Sequence, residues 1–218
     1  MDITIHRALS QLKTTKARIT QKLHEDIYIS STIGKTDLAE DRPVAAVERE
    51  IQSNYDSMMA LLKNYETLKL AIIRSNSGIT RDSTNITEGE VNGRRMTVAE
   101  AIAVQKYVLP LKTSFVTTLA SQLNNAKHTV ETANSQANNE IATMLDALSN
   151  KDSKNLDRSQ ITTITEAYQQ NKFRKLVDPM DLVNKIDTLR KENDALAVGI
   201  DSFLSESNAI QHIQVELD

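Results

Sequence analysis

Between Val44 and Ile72 the apolar residues Val47, Ile51, Tyr55, Met58, Leu62, Tyr65 and Leu68 follow one another at steps of three or four. That spacing gathers side chains on one face of a helix with 3.6 residues per turn, whereas a strand would scatter them over both faces. It predicts a helix over 43–75, about eight turns long, with Pro43 at its start, where a fixed φ and a missing amide proton do no harm. An element of this length needs partners that cover its whole stripe, and other long helices are the natural ones. The rest of the chain agrees. Five glycines and three prolines in 218 residues are too few for the corners of a sandwich, a barrel or a doubly wound sheet. The expected fold class is therefore mainly all-α: long antiparallel amphipathic helices forming a bundle or coiled-coil-like core, with a small β-hairpin and a short C-terminal strand.

The remaining elements follow from the same periodicities. Ile5, Ala8, Leu9, Leu12, Ile19 and Leu23 mark a first helix over 3–26. Residues 27–42 lose that period, and Gly34 within the polar GKTDLAEDR stretch reads as a connection with an extended IYIS piece before it. Asn92-Gly93, between Val91 and Met96, supplies the two positive-φ residues of a type I′ turn, so a hairpin is expected over 79–96. Thr97 and Glu100 form a capping-box pattern that opens a helix over 97–149. Pro110 should kink that helix, because it removes a backbone donor and crowds the preceding turn. Beyond Leu123 its apolar face thins to Ala and Val. The polar KDSKNLDRS segment is a loop, a short helix spans 160–170, and the FRKLVDP run is extended. Asp178 and Pro179 should cap and open a last helix over 179–206. Along it Leu182, Ile186, Leu189, Asn193, Leu196, Ile200 and Phe203 make a heptad seam, with Asn193 as a polar device for register. Ile213, Val215 and Leu217 alternate with polar residues as a terminal strand would. Taken together, residues 1–218 read as a single elongated helical domain, and 39% hydrophobic content is low enough to favour elongation or a homo-oligomer over a lone sphere.

Several functional classes are disfavoured by what the chain lacks. A formal net charge of −3 gives no bulk attraction to nucleic acid or to anionic lipid, so neither DNA, RNA nor a membrane is an expected partner. No apolar run approaches the roughly 20 residues that span a bilayer, and MDITIHRALSQLK has no apolar core behind a basic end; a cytoplasmic location is expected. Zero cysteines remove thiolate chemistry and Cys-ligated zinc. His6, His24, His128 and His212 are scattered, with no metal spacing among them. Without a Gly-rich phosphate loop, a nucleophile elbow or a zinc helix motif, the expectation is a non-enzyme with no catalytic residue, no metal and no cofactor.

Two stretches are similar to a known pattern. AIIRSNSGITRD through NGRRMTVAEAI, Ala71 to Ile102, resembles a motif of Arg, Asn, a small residue and Thr, then Gly-Arg-x-x-Thr and a helix. KLVDPMDLVNKIDTLRKENDALAVGIDSFLSESNAIQHIQVEL resembles the closing coiled-coil-like helix and short strand of the same group. That group is the septicolysin-like family of bacterial and phage helical proteins, whose function is not established. The chain departs from it in the longer NITEGEVNG insert and in lacking an aromatic near the last strand. The resemblance implies helical hairpins that assemble through their long helices, and it implies no reaction.

Arg74, Asn76, Arg94 and Arg95 are the candidate ligand-binding residues. They flank a loop beside a capped helix start and offer planar donors suited to phosphate or carboxylate. Two readings stay open. In one, a non-enzymatic homo-oligomer, of the kind a phage could encode against host defence, sequesters a small phosphate-containing ligand such as a cyclic nucleotide immune signal with these residues. In the other, the chain is a structural, assembly or protein-interaction component, for example a phage scaffold, without a small-molecule ligand. There the arginines bind helix ends and loop carbonyls, or pair with Asp82, Glu88 and Glu90.

Overall fold

A computed structural model of the chain describes residues 3–34, 38–39, 41–76, 88–151 and 157–210. The protein is mainly all-α. Thr4 begins helix α1 (Ile5–Glu25): its hydroxyl accepts from the Arg7 amide at 3.3 Å and its carbonyl from the Ala8 amide at 2.9 Å. A two-residue strand β1 (Ser30–Ser31) follows, then a minimal ladder of β2 (Leu38–Ala39) with β3 (Arg42–Pro43). Pro43 thus closes a strand, and helix α2 (Val44–Asn76) starts one residue later than expected. The stripe read from the sequence is the buried face of α2, with Val47, Ile51 and Met58 fully covered.

Strands β4 (Glu88–Val91) and β5 (Arg94–Thr97) form the hairpin around Asn92 and Gly93, whose φ values of 51° and 77° are those a type I′ turn demands. Residues 77–87, the first part of the expected hairpin region, lie outside the described residues. Helix α3 (Val98–Ala103) runs through a π-helical turn, Val104–Val108, into α4 (Leu109–Lys151). Just before Pro110, where a kink is expected, lies this π turn, in which the Leu109 amide donates five residues back to the Val104 carbonyl. A widened turn accommodates the missing proline donor and the ring.

Helix α5 (Arg158–Lys172) starts after Asp157, whose amide donates to the Gln160 side chain at 3.2 Å. Strand β6 (Leu176–Val177) pairs antiparallel with β1, Ser30 opposite Val177, so the two extended stretches read from the sequence meet each other. Asp178 caps the last helix as expected, accepting from the Leu182 amide at 2.9 Å, but Pro179 does not open it. A turn intervenes in which Asp181 takes a φ of 53°, and α6 (Leu182–Ile210) begins only there. The expected strand at 213–217 lies outside the described residues.

The chain divides into two compact units, each discontinuous in sequence. Unit 1 takes residues 1–25, 56–118 and 186–218. Its core joins Met58, Leu62 and Tyr65 of α2 to Val104, Val108 and Phe115 around the π turn and to Ile200 and Phe203 of α6. Unit 2 takes residues 26–55 and 119–185. It is organised by amide side chains that imitate backbone: Gln122 accepts from the Tyr28 amide at 2.8 Å and donates to the Asp26 carbonyl at 2.9 Å. Asn134 does the same to both backbone groups of Arg174, at 2.7 and 3.1 Å. The Tyr28 ring beneath is fully buried, and burial, followed by the nearby Asp26 charge, pushes its hydroxyl pKa well above the usual tyrosine value.

Two glycines with positive φ separate backbone strain from crowding. At Gly34, φ +69°, an added methyl would lie 2.3 Å from the Gln170 carbonyl oxygen of α5; at Gly93, φ +77°, it would meet nothing within 4 Å. Gly93→Ala should cost about 1–2 kcal/mol, the left-handed penalty alone, whereas Gly34→Ala should cost about 2–4 kcal/mol because backbone must also move. Denaturant unfolding followed by circular dichroism checks the order, and equal losses would refute it.

Candidate functional site

The hairpin register decides where its two arginines go. Val91 lies opposite Arg94, Glu90 opposite Arg95, Gly89 opposite Met96 and Glu88 opposite Thr97. Because successive side chains of a strand alternate faces, Gly89, Val91, Arg94 and Met96 share one face and Glu88, Glu90, Arg95 and Thr97 the other. Val91 and Met96 are buried, at 1% and 3% exposure, so the first face is turned inward. Arg94 stands on the same face with its side chain still 51% exposed. Its guanidinium Nη1 donates to Glu66 Oε1 of α2, while Lys112 Nζ of α4 holds the other oxygen at 3.2 Å. Glu66 is only 9% exposed, so the carboxylate that these cations share is largely out of water.

Arg74 is held elsewhere. On the last turn of α2, its Nε donates at 2.5 Å to Glu100, a carboxylate of 1% exposure in the first turn of α3. Glu100 also accepts from the Thr97 amide at 2.8 Å, and Thr97 Oγ1 accepts from the Glu100 amide at 3.2 Å, which completes the capping box. Each charge here also sits at the helix end its sign favours, Arg74 at a C-terminus and Glu100 near an N-terminus. Glu66 and Arg74 are eight residues apart on one helix, about 12 Å along its axis, so the two ion pairs are separate fastenings.

The four candidate residues are therefore not brought to one point. Arg74 and Arg94 each face a buried carboxylate. Arg95 is exposed on the outer face across from Glu90, and Asn76 is exposed at the end of α2. Asp82 lies outside the described residues, and the partner of Arg94 is Glu66 of α2, not Glu88 or Glu90 of its own hairpin. Sequence reasoning missed Glu66 as a partner because it stands 28 residues from Arg94. It read Glu100 only as a capping residue. Two glycines were missed as well: a methyl on Gly89 would lie 2.2 Å from the Phe203 ring of α6, and one on Gly199 would lie 2.9 Å from Val91. The hairpin therefore lies against α6 at a distance only glycine permits.

Among the described residues no group of three or more His, Cys, Asp or Glu could hold a metal ion. In the same residues no helix is long and apolar enough to cross a membrane. No family model matches the chain, and neither a curated protein nor a solved structure matches it.

Glu100→Ala should cost about 2–3 kcal/mol, because it removes the box, the acceptor of the Thr97 amide and the Arg74 pair together. Arg74→Ala should cost only about 1 kcal/mol, since that arginine side chain is 55% exposed and water replaces part of its contact. A double-mutant cycle on this pair measures both, and a larger loss for Arg74→Ala would contradict the assignment.

Proposed function

We propose that the chain is a non-enzymatic helical assembly protein, a homo-oligomer whose arginine hairpin is a structural clasp and not an anion receptor. The observation that carries this reading is the pairing of Arg94 with Glu66 and of Arg74 with Glu100. An arginine set built to bind a phosphate leaves its donor fork open toward solvent or a pocket. Here Nε of Arg74 and Nη1 of Arg94 already meet carboxylates, with the two side chains 55% and 51% exposed, and Arg95 is on the opposite face of the hairpin from Arg94, so the three do not make one receptor. Contact between copies is supported by apolar residues paired one turn apart on solvent faces: Ile5 and Leu9 at 43% and 49% exposure, Met144 and Leu148 at 42% and 37%. The resemblance to septicolysin-like proteins points the same way, since that group is expected to assemble through its long helices.

Native mass spectrometry of the purified chain tests the proposal. The expected result is a homo-oligomer without a stoichiometric phosphate-containing mass, in which Arg94→Ala lowers the unfolding midpoint and loosens the assembly while Arg95→Ala changes neither. The sequestering reading takes its place if a phosphate-containing molecule co-purifies and is lost in Arg95→Ala at unchanged stability and subunit number. A monomer at all concentrations would sink the assembly reading.

A further inference from the structure

Beside the Glu66 clasp, α2, α4 and α6 leave a cleft of about 220 Å³ within unit 1. Its floor is core: Leu62, Phe115 and Val116 are 4%, 1% and 5% exposed. On the α6 side it is bounded by Leu189, Asn193 and Leu196. These are consecutive members of the α6 seam, and all three are partly exposed, whereas Ile186 before them and Ile200 after them are buried. The seam is thus open along one stretch of about two turns.

What such a space can hold follows from its size and its rim. An apolar cavity of about 150 Å³ takes up benzene, so this one has room for a chain of about six to eight carbons. A purely apolar guest is not what the rim suits. Lys63, Glu66, Lys112 and Glu192 stand around the opening. Glu66 is already shared between Arg94 and Lys112. Of the lining charges, Lys63 and Lys112 oppose Glu66 and Glu192, and Arg94, which is not part of the lining, offsets Glu66, so the two lysines stand against Glu192. Asn193 adds a partly buried amide at a seam position where a polar partner is usually required.

We propose that this cleft binds a small anionic amphiphile, a single carboxylate head on an unbranched chain of about six to eight carbons. The chain lies on Leu62, Phe115, Leu189 and Leu196, and the head meets Lys63 and Lys112 with the Asn193 amide as a further donor. Inorganic phosphate brings no apolar part to this floor and is not its ligand. The inference goes beyond the assembly reading and does not rest on it.

The probe is octanoate, titrated calorimetrically into the full chain, with butyrate and octanol as comparators. Octanoate should bind with a dissociation constant of roughly 10–500 µM, and butyrate about 100-fold more weakly. Replacing both Lys63 and Lys112 by Met should weaken octanoate at least about tenfold and leave octanol unchanged. Leu196→Trp should fill the cleft and abolish binding, with circular dichroism confirming the fold; Asn193→Leu, a milder change at the same wall, should reduce it. Absence of any heat with millimolar octanoate overturns the proposal, as does binding that Leu196→Trp and Asn193→Leu leave intact. If octanoate fails and Leu196→Trp instead changes the subunit number, the occupant of the cleft is a second copy and the amphiphile is excluded.

Discussion

A carboxylate with 1% exposure cannot be left without donors, and the local structure around Glu100 is the way the chain provides them. Its two nearest donors come from different places: the Thr97 amide at the end of the hairpin and the Arg74 guanidinium at the end of α2. The last strand residue, the first turn of α3 and the last turn of α2 are thereby tied to one side chain. From that point the hairpin is carried onto α6, where Gly89 lets the hairpin backbone approach Phe203 and Gly199 lets the α6 backbone approach Val91. Glu66 fastens its other end through Arg94. Water reaches the Arg74 side of the Glu100 pair, so the Thr97 box holds this carboxylate more firmly than the arginine does.

How much of this was legible depends on how far apart the cooperating residues stand. The α2 stripe, the Thr97–Glu100 box, the Asn92-Gly93 turn and the Asp178 cap each involve residues within a few positions, and their physics is local enough to be read directly. The Arg94–Glu66 pair spans 28 positions and the Arg74–Glu100 pair 26, and nothing in the periodicity of either strand or helix names such a partner. Gly89 and Gly199 carry no local signal either, since neither needs a positive φ; what each needs is the absence of a methyl against another element. The division into two units is hidden for a related reason. Val44–Asn76, Leu109–Lys151 and Leu182–Ile210 each contribute residues to both, so no composition change marks a boundary.

The candidate site shows how a period of two can overrule proximity in sequence. Arg94 and Arg95 are neighbours and look like a cluster, yet the pleat sends one toward α2 and leaves the other outside. Electrostatics then sorts them further. Arg94, its side chain still 51% exposed, is spent on a carboxylate that is mostly out of water, while Arg95 faces a solvated Glu90 across the strands, where screening leaves little. A basic motif in a sequence is thus two different things in the fold, a fastening and a surface charge.

Glu66 is where the fastening and the open cleft share a side chain. Its first oxygen is held by Arg94, which the hairpin keeps in place through the buried Val91 and Met96 on the same face. Its second oxygen meets Lys112 at 3.2 Å, a longer contact to a side chain 29% exposed on a flexible stem. The two cations are therefore not equivalent. Arginine, planar and tied to the strand, fixes the carboxylate; lysine, a mobile point charge, can turn between Glu66 and an anion in the cleft without disturbing that fixture. An occupant of the cleft would compete only for the weaker of the two contacts, so binding there and integrity of the hairpin need not oppose one another.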